Sequence, residues 1–477
     1  MLKKYLSDIA FMQVLNLLVK PVWILVIDAA VQDALSPEVY GNYFALFNTS
    51  MLFFIVLDLG LNNFSTTIVA RDTSKIASLA GSILGLKMLL SVVYVAIVFG
   101  VGYVLGYSSL EFGLLIILCC IQILSSFVQY FRSIVASLQR FKLDGVFMVL
   151  DRLLVISFVS ILLWGGIPSL SLSISRFAMA QVLSLSIVLL VLLFFLKNNL
   201  KSMRISFHLE SLKPLMKKAW PFALLVTLMG LFTYIDAVMI KQLRGDAEVG
   251  LYALGYRFYF AIMGFAQVFS GVLLPFFSKN IKDAEAIRKI SSYTARLLLF
   301  GGILLASLSA VYGLDMLEVI NPARANSDSA EVFTFLMFSF LGSVLMLIYG
   351  ALLTAANELK WLNRFAALTL GMNLVLNYTL IPTYGAQGAA LATLVSQLFF
   401  GVMCYVICFR KFNLKWGLSQ TISILAGGAA LVVTIICAKQ YFATTRVHFT
   451  MIAVTILIGA YLFKLFEYRH LKSLRRK

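Results

Sequence analysis

A chain of 477 residues in which 61% are hydrophobic and only 13% charged falls well below the roughly one-quarter charged content of a soluble globular domain. A net charge of +18 on so apolar a background also fits a nucleic-acid-binding protein poorly, so the setting to test is a lipid bilayer.

In chain order, apolar runs long enough to cross a ~30 Å hydrocarbon core fall at roughly 9–31, 39–63, 77–105, 112–137, 145–165, 173–196, 218–243, 250–277, 291–313, 331–356, 361–382, 386–409, 417–437 and 447–466. Lipid cannot satisfy backbone N–H and C=O groups, so a spanning segment is a helix or a strand of a closed barrel. Runs of about twenty residues, rather than alternating segments of about ten, select helices. The expected fold is therefore an all-α polytopic membrane protein of about 14 transmembrane helices. The first run follows Lys3-Lys4 but lacks a small-residue cleavage site, so it reads as a retained span and not a signal peptide.

The basic residues sort by side. Of 39 Lys and Arg, 28 belong to the two tails and the even-numbered connections, counting Arg132, Lys218, Arg364 and Lys464 at the adjoining span ends, and five (Lys241 at a span end, Arg244, Arg324, Lys439 and Arg446) to the odd-numbered ones. Such alternation places both termini in the cytoplasm and implies an even number of spans. It also makes the net charge a topology signal, reinforced by attraction to anionic lipid.

The six remaining cations, Lys20, Lys87, Arg152, Arg176, Arg257 and Arg296, lie inside the proposed spans, as do Asp28, Asp58, Asp151 and Asp236. A charge at the bilayer centre costs roughly 2.5–3.5 kcal/mol, so it turns to a partner or a wet cavity unless it can snorkel to the interface. Arg176 and Arg296 are close enough to span ends to snorkel, whereas Lys20 and Lys87 lie about 15 Å in and favour a cavity. Arg152 and Arg257 are intermediate, and either reading applies to them. The four aspartates admit two readings as well, H+ or Na+ coupling sites or structural partners of basic residues and helix ends.

An internal repeat organises the spans. "IDAAVQDALSPEVYGNY" closes the first span and enters the second, and "IDAVMIKQLRGDAEVGLY" does the same for the seventh and eighth; Gly41 and Gly250 are 209 residues apart. "LQRFKLD" before span five is echoed by "NELKWLN" before span eleven, and Gln181 and Gln397 differ by 216. Twelve helices thus read as two six-helix lobes in the same orientation, helices 1–6 in residues 1–200 and 7–12 in 201–412, parted within the basic stretch 197–218. Helices 13 and 14 and a basic cytoplasmic tail (413–477) lie outside the repeat. Parallel repeats are a transporter signature.

"GMNLVLNYTLIPTYGAQGAALATLVSQ" (371–397) carries Asn373 and Asn377 on one helix face, then Pro382 and Gly385, then a run of small residues. Small residues let helices approach closely in lipid and amides tie them together, so the two asparagines read as structural. Together with "LDLGLNNFSTTIVARD" (57–72), "YIDAVMIKQLRGDAEVGLYALGYRF" (234–258) and "FSGVLLPFFSK" (269–279), this stretch resembles the polysaccharide (O-antigen-type) flippase branch of the multidrug/oligosaccharidyl-lipid/polysaccharide exporter superfamily. The resemblance implies a flippase of the bacterial cytoplasmic (inner) membrane. It would move an undecaprenyl-diphosphate-linked oligosaccharide to the outer leaflet by alternating access around a cationic cavity. It also implies membrane lipids, and the polymerase and chain-length proteins of the pathway, as partners. "LKMLL" (86–90) matches the family's lysine-bearing third helix and raises Lys87 as a cavity residue; the arginine many O-antigen members carry after D-x-G-[LF] is not matched, since Thr66-Thr67-Ile68 stand there. Lys87, Lys20, Arg152 and Arg257 are the expected cargo-binding cations, and Asp58, Asp151, Asp28 and Asp236 the candidate H+ or Na+ sites.

Enzyme chemistry is not visible. His208, His448 and His470 stand apart from cysteines and carboxylates at metal-ligand spacing, the five cysteines fall within spans, and there is no P-loop pattern. A cation-coupled multidrug exporter is the nearest alternative, but it calls for an anionic cavity. A polytopic glycan polymerase is a further one, although the longest outer loop, about 314–330, lacks paired catalytic groups.

Overall fold

The computed structural model describes residues 15, 18–62, 76–138, 140–167, 171–201 and 213–412, and near the C-terminus 414, 428–429, 432–436 and 439. Among these residues every regular element is helical. One π-helical turn, Trp23–Ile27, leads into α1 (Asp28–Ala34) and α2 (Pro37–Leu52). There follow α3 (Ile76–Val104), α4 (Ser109–Ser137), α5 (Phe141–Trp164), α6 (Ile174–Leu196), α7 (Lys213–Arg244), α8 (Asp246–Lys279), α9 (Ala284–Ile320), α10 (Ser327–Ala355) and α11 (Leu359–Phe412). Nine of them, α3 to α11, are long and apolar enough to cross a bilayer; α3 to α10 each coincide with one expected span and α11 with two, 11 and 12. Expected span 14 and most of span 13 lie outside the described residues.

Short polar residues at the loops start the helices where the sequence changes from turn to apolar run. Ser36 accepts from the Val39 N–H with Pro37 at the first helical position of α2, and Ser108 and Glu111 form a reciprocal capping box on α4. Asp283 caps α9, while Asn326 and Ser329 cap α10. Each cap satisfies backbone donors that have no partner within the first turn.

The 54 residues of α11 cannot be one straight rod, because Glu358 just before its start forms an ion pair with Lys411 at its end. The chain turns back at Gly385, the one residue of α11 with non-helical angles (φ 55°, ψ −132°), which is accessible to glycine at little cost. Immediately beyond, a Cβ on Gly388 would stand 2.6 Å from the Leu380 carbonyl oxygen, so the two limbs meet backbone to backbone. Spans 11 and 12 are thus a hairpin whose turn is almost a single residue.

Contacts gather the chain into two units, Met1–Ala253 and Leu254–Lys477. In the first, α4 packs on α6 and α2 is held against α4 and α7. Polar side chains tie the helices: Tyr94 donates to the Ser50 carbonyl (2.8 Å), Gln122 to Ser50 Oγ (3.2 Å) and Gln181 to Tyr43 Oη (3.0 Å). Where α2 and α8 begin, Gly41 meets the Asp246 carbonyl and Gly250 meets that of Pro37. Pro37 and Asp246, like Gly41 and Gly250, are 209 residues apart, so the two repeat segments touch through equivalent groups, as in an isologous interface.

In the second unit α10 is the central helix, packed on α9 and on both limbs of α11. Gly342 and Gly401 make the closest crossing, a Cβ on either falling 2.2–2.4 Å from backbone of the other helix. Asn373 and Asn377 are fully buried and joined by a hydrogen bond of 3.1 Å along their shared face. Gln397 donates to Tyr259 Oη (3.5 Å), which also pairs with Ser343 (2.8 Å). The Gln–Tyr separation, 138 residues, is the same as for Gln181 and Tyr43, so this interhelical tie is part of the repeat.

Candidate functional site

Two of the expected cations come together in the first unit. Pro21 lacks an N–H, which weakens the helical turn before it, and the chain then runs through the π-helical turn Trp23–Ile27, closed by a bond from the Asp28 N–H to the Trp23 carbonyl. Lys20 and Trp23, three apart, share a face of this segment. Opposite them α5 contributes Asp151 and Arg152, eleven residues in from Phe141 and hence about 16 Å along a 24-residue helix. The Arg152 guanidinium lies 5.5 Å from the centre of the Trp23 ring, with Nε 3.5 Å from Asp151 Oδ2. The π-helical turn packs on α5, and Lys20 just before it is half-buried. The side chain of Arg152 is 40% exposed and that of Asp151 18%, so a partly open guanidinium lies between an indole face and a largely covered carboxylate. Trp23 is itself fixed by stacking on Phe177 at 6.0 Å, which Tyr43 meets edge-on at 5.3 Å.

Lys87 stands elsewhere. After α2 the backbone tightens into a 3-10 turn, Phe54–Leu57, and then takes positive φ at Leu59 (45°) and Gly60 (86°), so the family-like stretch "LDLG" is a broken helix end. Lys87 reaches this break from α3 with 1% of its side chain exposed. Its Nζ donates to the Leu57 carbonyl (2.8 Å), to Ser126 Oγ (2.7 Å) and to Asp58 Oδ1 (3.3 Å), below the Tyr130 ring at 5.9 Å. Ser126 also donates to Leu57 O at 3.1 Å, and Asp58 Oδ1 accepts the Asn62 N–H at 3.3 Å. Lys87 is thus sealed in an oxygen cage and, in this conformation, presents no open cationic surface.

Asp28 and Asp236 share a chemistry. Tyr40 Oη donates to Asp28 Oδ1 (2.8 Å) and Gln32 Nε2 to Oδ2 (3.1 Å); Tyr252 Oη donates to Asp236 Oδ2 (3.0 Å). By bonding, Tyr252 therefore corresponds to Tyr40 and Tyr259 to Tyr43, a register that shifts along the helix relative to the glycine match at 209. Arg257 belongs to the second unit, 4% exposed and 5.0 Å from the Phe258 ring. Arg176 reaches back to Ser171 beyond the start of α6, as a residue near a span end does.

Three groups escaped sequence reasoning. Trp23 had a signal in its spacing from Lys20, whereas Ser126 had none, since its partner is a carbonyl freed 69 residues away. Lys241, counted only as an outer-side charge, bridges Glu111 and Asp246 at 2.6 Å each with 9% of its side chain exposed. Among the described residues no three or more His, Cys, Asp or Glu gather as metal ligands.

A family profile described as "Polysaccharide biosynthesis protein" matches residues 7–281. A putative O-antigen transporter of Shigella dysenteriae is 24% identical over 211 residues, 44% of this chain and 52% of that protein, so the chain spans about half the length of this relative. The capsular polysaccharide biosynthesis protein CapF of Staphylococcus aureus is 23% identical over 385 residues, 79% and 92% of the two chains. Among solved structures, lipid II flippase MurJ in an inward closed conformation superposes with a TM-score of 0.69 at 15% identity, covering 98% of this chain and 99% of that one. An inward-facing multidrug resistance MATE family transporter of the MOP superfamily gives 0.64 at 14%, covering 84% and 98%. At such identities these two establish the fold.

Proposed function

The chain belongs to the polysaccharide biosynthesis protein family, and from that premise we propose that it is a flippase for a lipid-linked oligosaccharide. The cargo is of the undecaprenyl-diphosphate type, carried from the cytoplasmic to the outer leaflet of the bacterial inner membrane for O-antigen, capsule or a related polymer. One observation carries the reading: the Arg152 guanidinium stands midway along α5, 40% exposed, against the face of Trp23, with the half-buried Lys20 three residues before that indole.

A guanidinium left open to acyl chains at that depth costs roughly 2.5–3.5 kcal/mol, so a wet, ligand-facing surface is the arrangement the energetics favour. A lipid diphosphate crossing the bilayer must exchange its hydration for fixed donors. Arg152 offers a planar fork for two phosphate oxygens, Lys20 a movable point charge, and Trp23 an apolar wall beside them. Asp151 moderates the pair, so that the cargo is released as well as held. The surface would be exposed alternately to the two sides as the lobes expected at 1–200 and 201–412 rearrange. Asp28, Asp151 and Asp236 are the carboxylates through which H+ or Na+ would drive the cycle; Asp58, the fourth expected one, is paired with Lys87. The net positive site disfavours a cationic drug as cargo.

The test is Lys20→Gln with Arg152→Gln in cells, with protein abundance held equal. Surface polymer falls at least tenfold and the lipid-linked intermediate accumulates on the cytoplasmic side. Unchanged polymer in the double variant removes the cationic-surface reading.

A further inference from the structure

In the site just proposed cations lie partly open, whereas Lys87 is sealed against oxygen atoms. Its ammonium has a main-chain carbonyl, a hydroxyl and a carboxylate around it, with an aromatic face beyond. Those are the ligand types from which proteins assemble sites for hard monovalent cations. The carbonyl is free to serve because the helix is interrupted, and irregular backbone inside a membrane protein must be satisfied by other groups. The separations to Leu57 O and Ser126 Oγ, 2.8 and 2.7 Å, also suit a potassium or free ammonium ion.

We propose that the Leu57–Asp58 helix break is a monovalent-cation site whose cation is covalently tethered, the ammonium of Lys87. A tethered cation needs no ion from solution and cannot leave, so this site fixes the break permanently and Asp58 does not exchange H+ or Na+ during transport. Coupling would then rest on the other carboxylates. The inference is independent of the cargo, because it concerns how the fold holds its broken helix.

It can be tested by chemical complementation of purified, detergent-solubilised protein. Lys87→Ala vacates the cage, and thermal stability is followed at constant ionic strength in ammonium, potassium, ethylammonium or tetramethylammonium chloride. The wild-type protein should unfold at the same temperature in all four. The variant should unfold earlier in tetramethylammonium, which cannot enter or donate, and regain stability in at least one of the other three. At a concentration ten times the dissociation constant, the folded population rises about elevenfold relative to the unfolded. Adding Asp58→Asn should weaken the recovery.

Lys87→Ser, which empties the same space and adds an oxygen ligand, is measured in parallel in case the alanine variant accumulates poorly. Equal stability of the variants in all four salts overturns the proposal. So does failure of both variants to accumulate, since a cage able to take a free cation would fold around one. Loss of transport on substituting Lys20 and Arg152 would leave this result untouched, and the reverse also holds.

Discussion

Consider Gly41→Ala. Its new Cβ would lie 1.9 Å from the Asp246 carbonyl oxygen and 2.7 Å from the Gly250 nitrogen. Ordinary contact begins near 3.4 Å, so the first turns of α2 and α8 must separate by about 1.5 Å. Every atom in the way is backbone, which no rotamer change can relieve. Overpacking of this kind costs about 1–3 kcal/mol, a factor of roughly 5–150 in the equilibrium between closed and separated ends. Gly250→Ala imposes the reciprocal clash, 2.3 Å from the Pro37 carbonyl oxygen. Once one substitution has moved the ends apart the second finds room, so the double variant should lose at least about 1 kcal/mol less than the sum of the singles. Gly100→Ala is the control, because a Cβ there meets nothing within 4 Å; it should be neutral or gain up to about 1 kcal/mol from reduced backbone freedom. Thermal unfolding of the four purified variants reads the cycle. Single variants as stable as Gly100→Ala, or strictly additive losses, would show that the two repeat segments do not touch through these glycines.

Two further substitutions follow from the interhelical ties. Gln181→Leu leaves the buried Tyr43 hydroxyl without its 3.0 Å donor and should cost about 1–3 kcal/mol. Gln397→Leu should cost less, since its bond is 3.5 Å and Tyr259 keeps Ser343; comparison of unfolding temperatures reads the order, and the reverse order would refute it. Lys241→Met removes the cation shared by Glu111 and Asp246. The loss should be on the order of 2 kcal/mol, below the 3–5 of a fully buried pair, because the carboxylates keep 15% and 29% exposure. Its measure is the same unfolding assay, with the Lys241→Arg variant expected to restore most of the stability.

The helices were legible because their cause is local. A run of twenty apolar residues has no other way to satisfy its backbone in lipid, and the caps Ser108, Ser173 and Asn326 are seen in the structure to set where α4, α6 and α10 begin. The repeat was legible too, in Gly41 and Gly250 and in the two glutamines. Its meaning was not, because nothing in a 209-residue offset says that the segments around Gly41 and Gly250 touch each other.

The candidate site was only half legible. Depth along a span marked Lys20 and Lys87 equally and left Arg152 open, since sequence position measures distance from the interface and not direction. Their surroundings separated them: Arg152 lies against Trp23 and Asp151 with its side chain partly open, and Lys20 is half-buried, while Lys87 meets a carbonyl that exists as an acceptor only because the chain breaks at Leu57.

Apolar run length and recurring short motifs thus determined by themselves that this protein is a bundle of membrane-crossing helices with an internal repeat, for these are written in the order of the chain. Which buried cations are open and which are sealed was decided by tertiary structure alone. A charge in a low-dielectric interior is governed by the oxygens brought to it from distant segments, and those are assembled only when the helices pack.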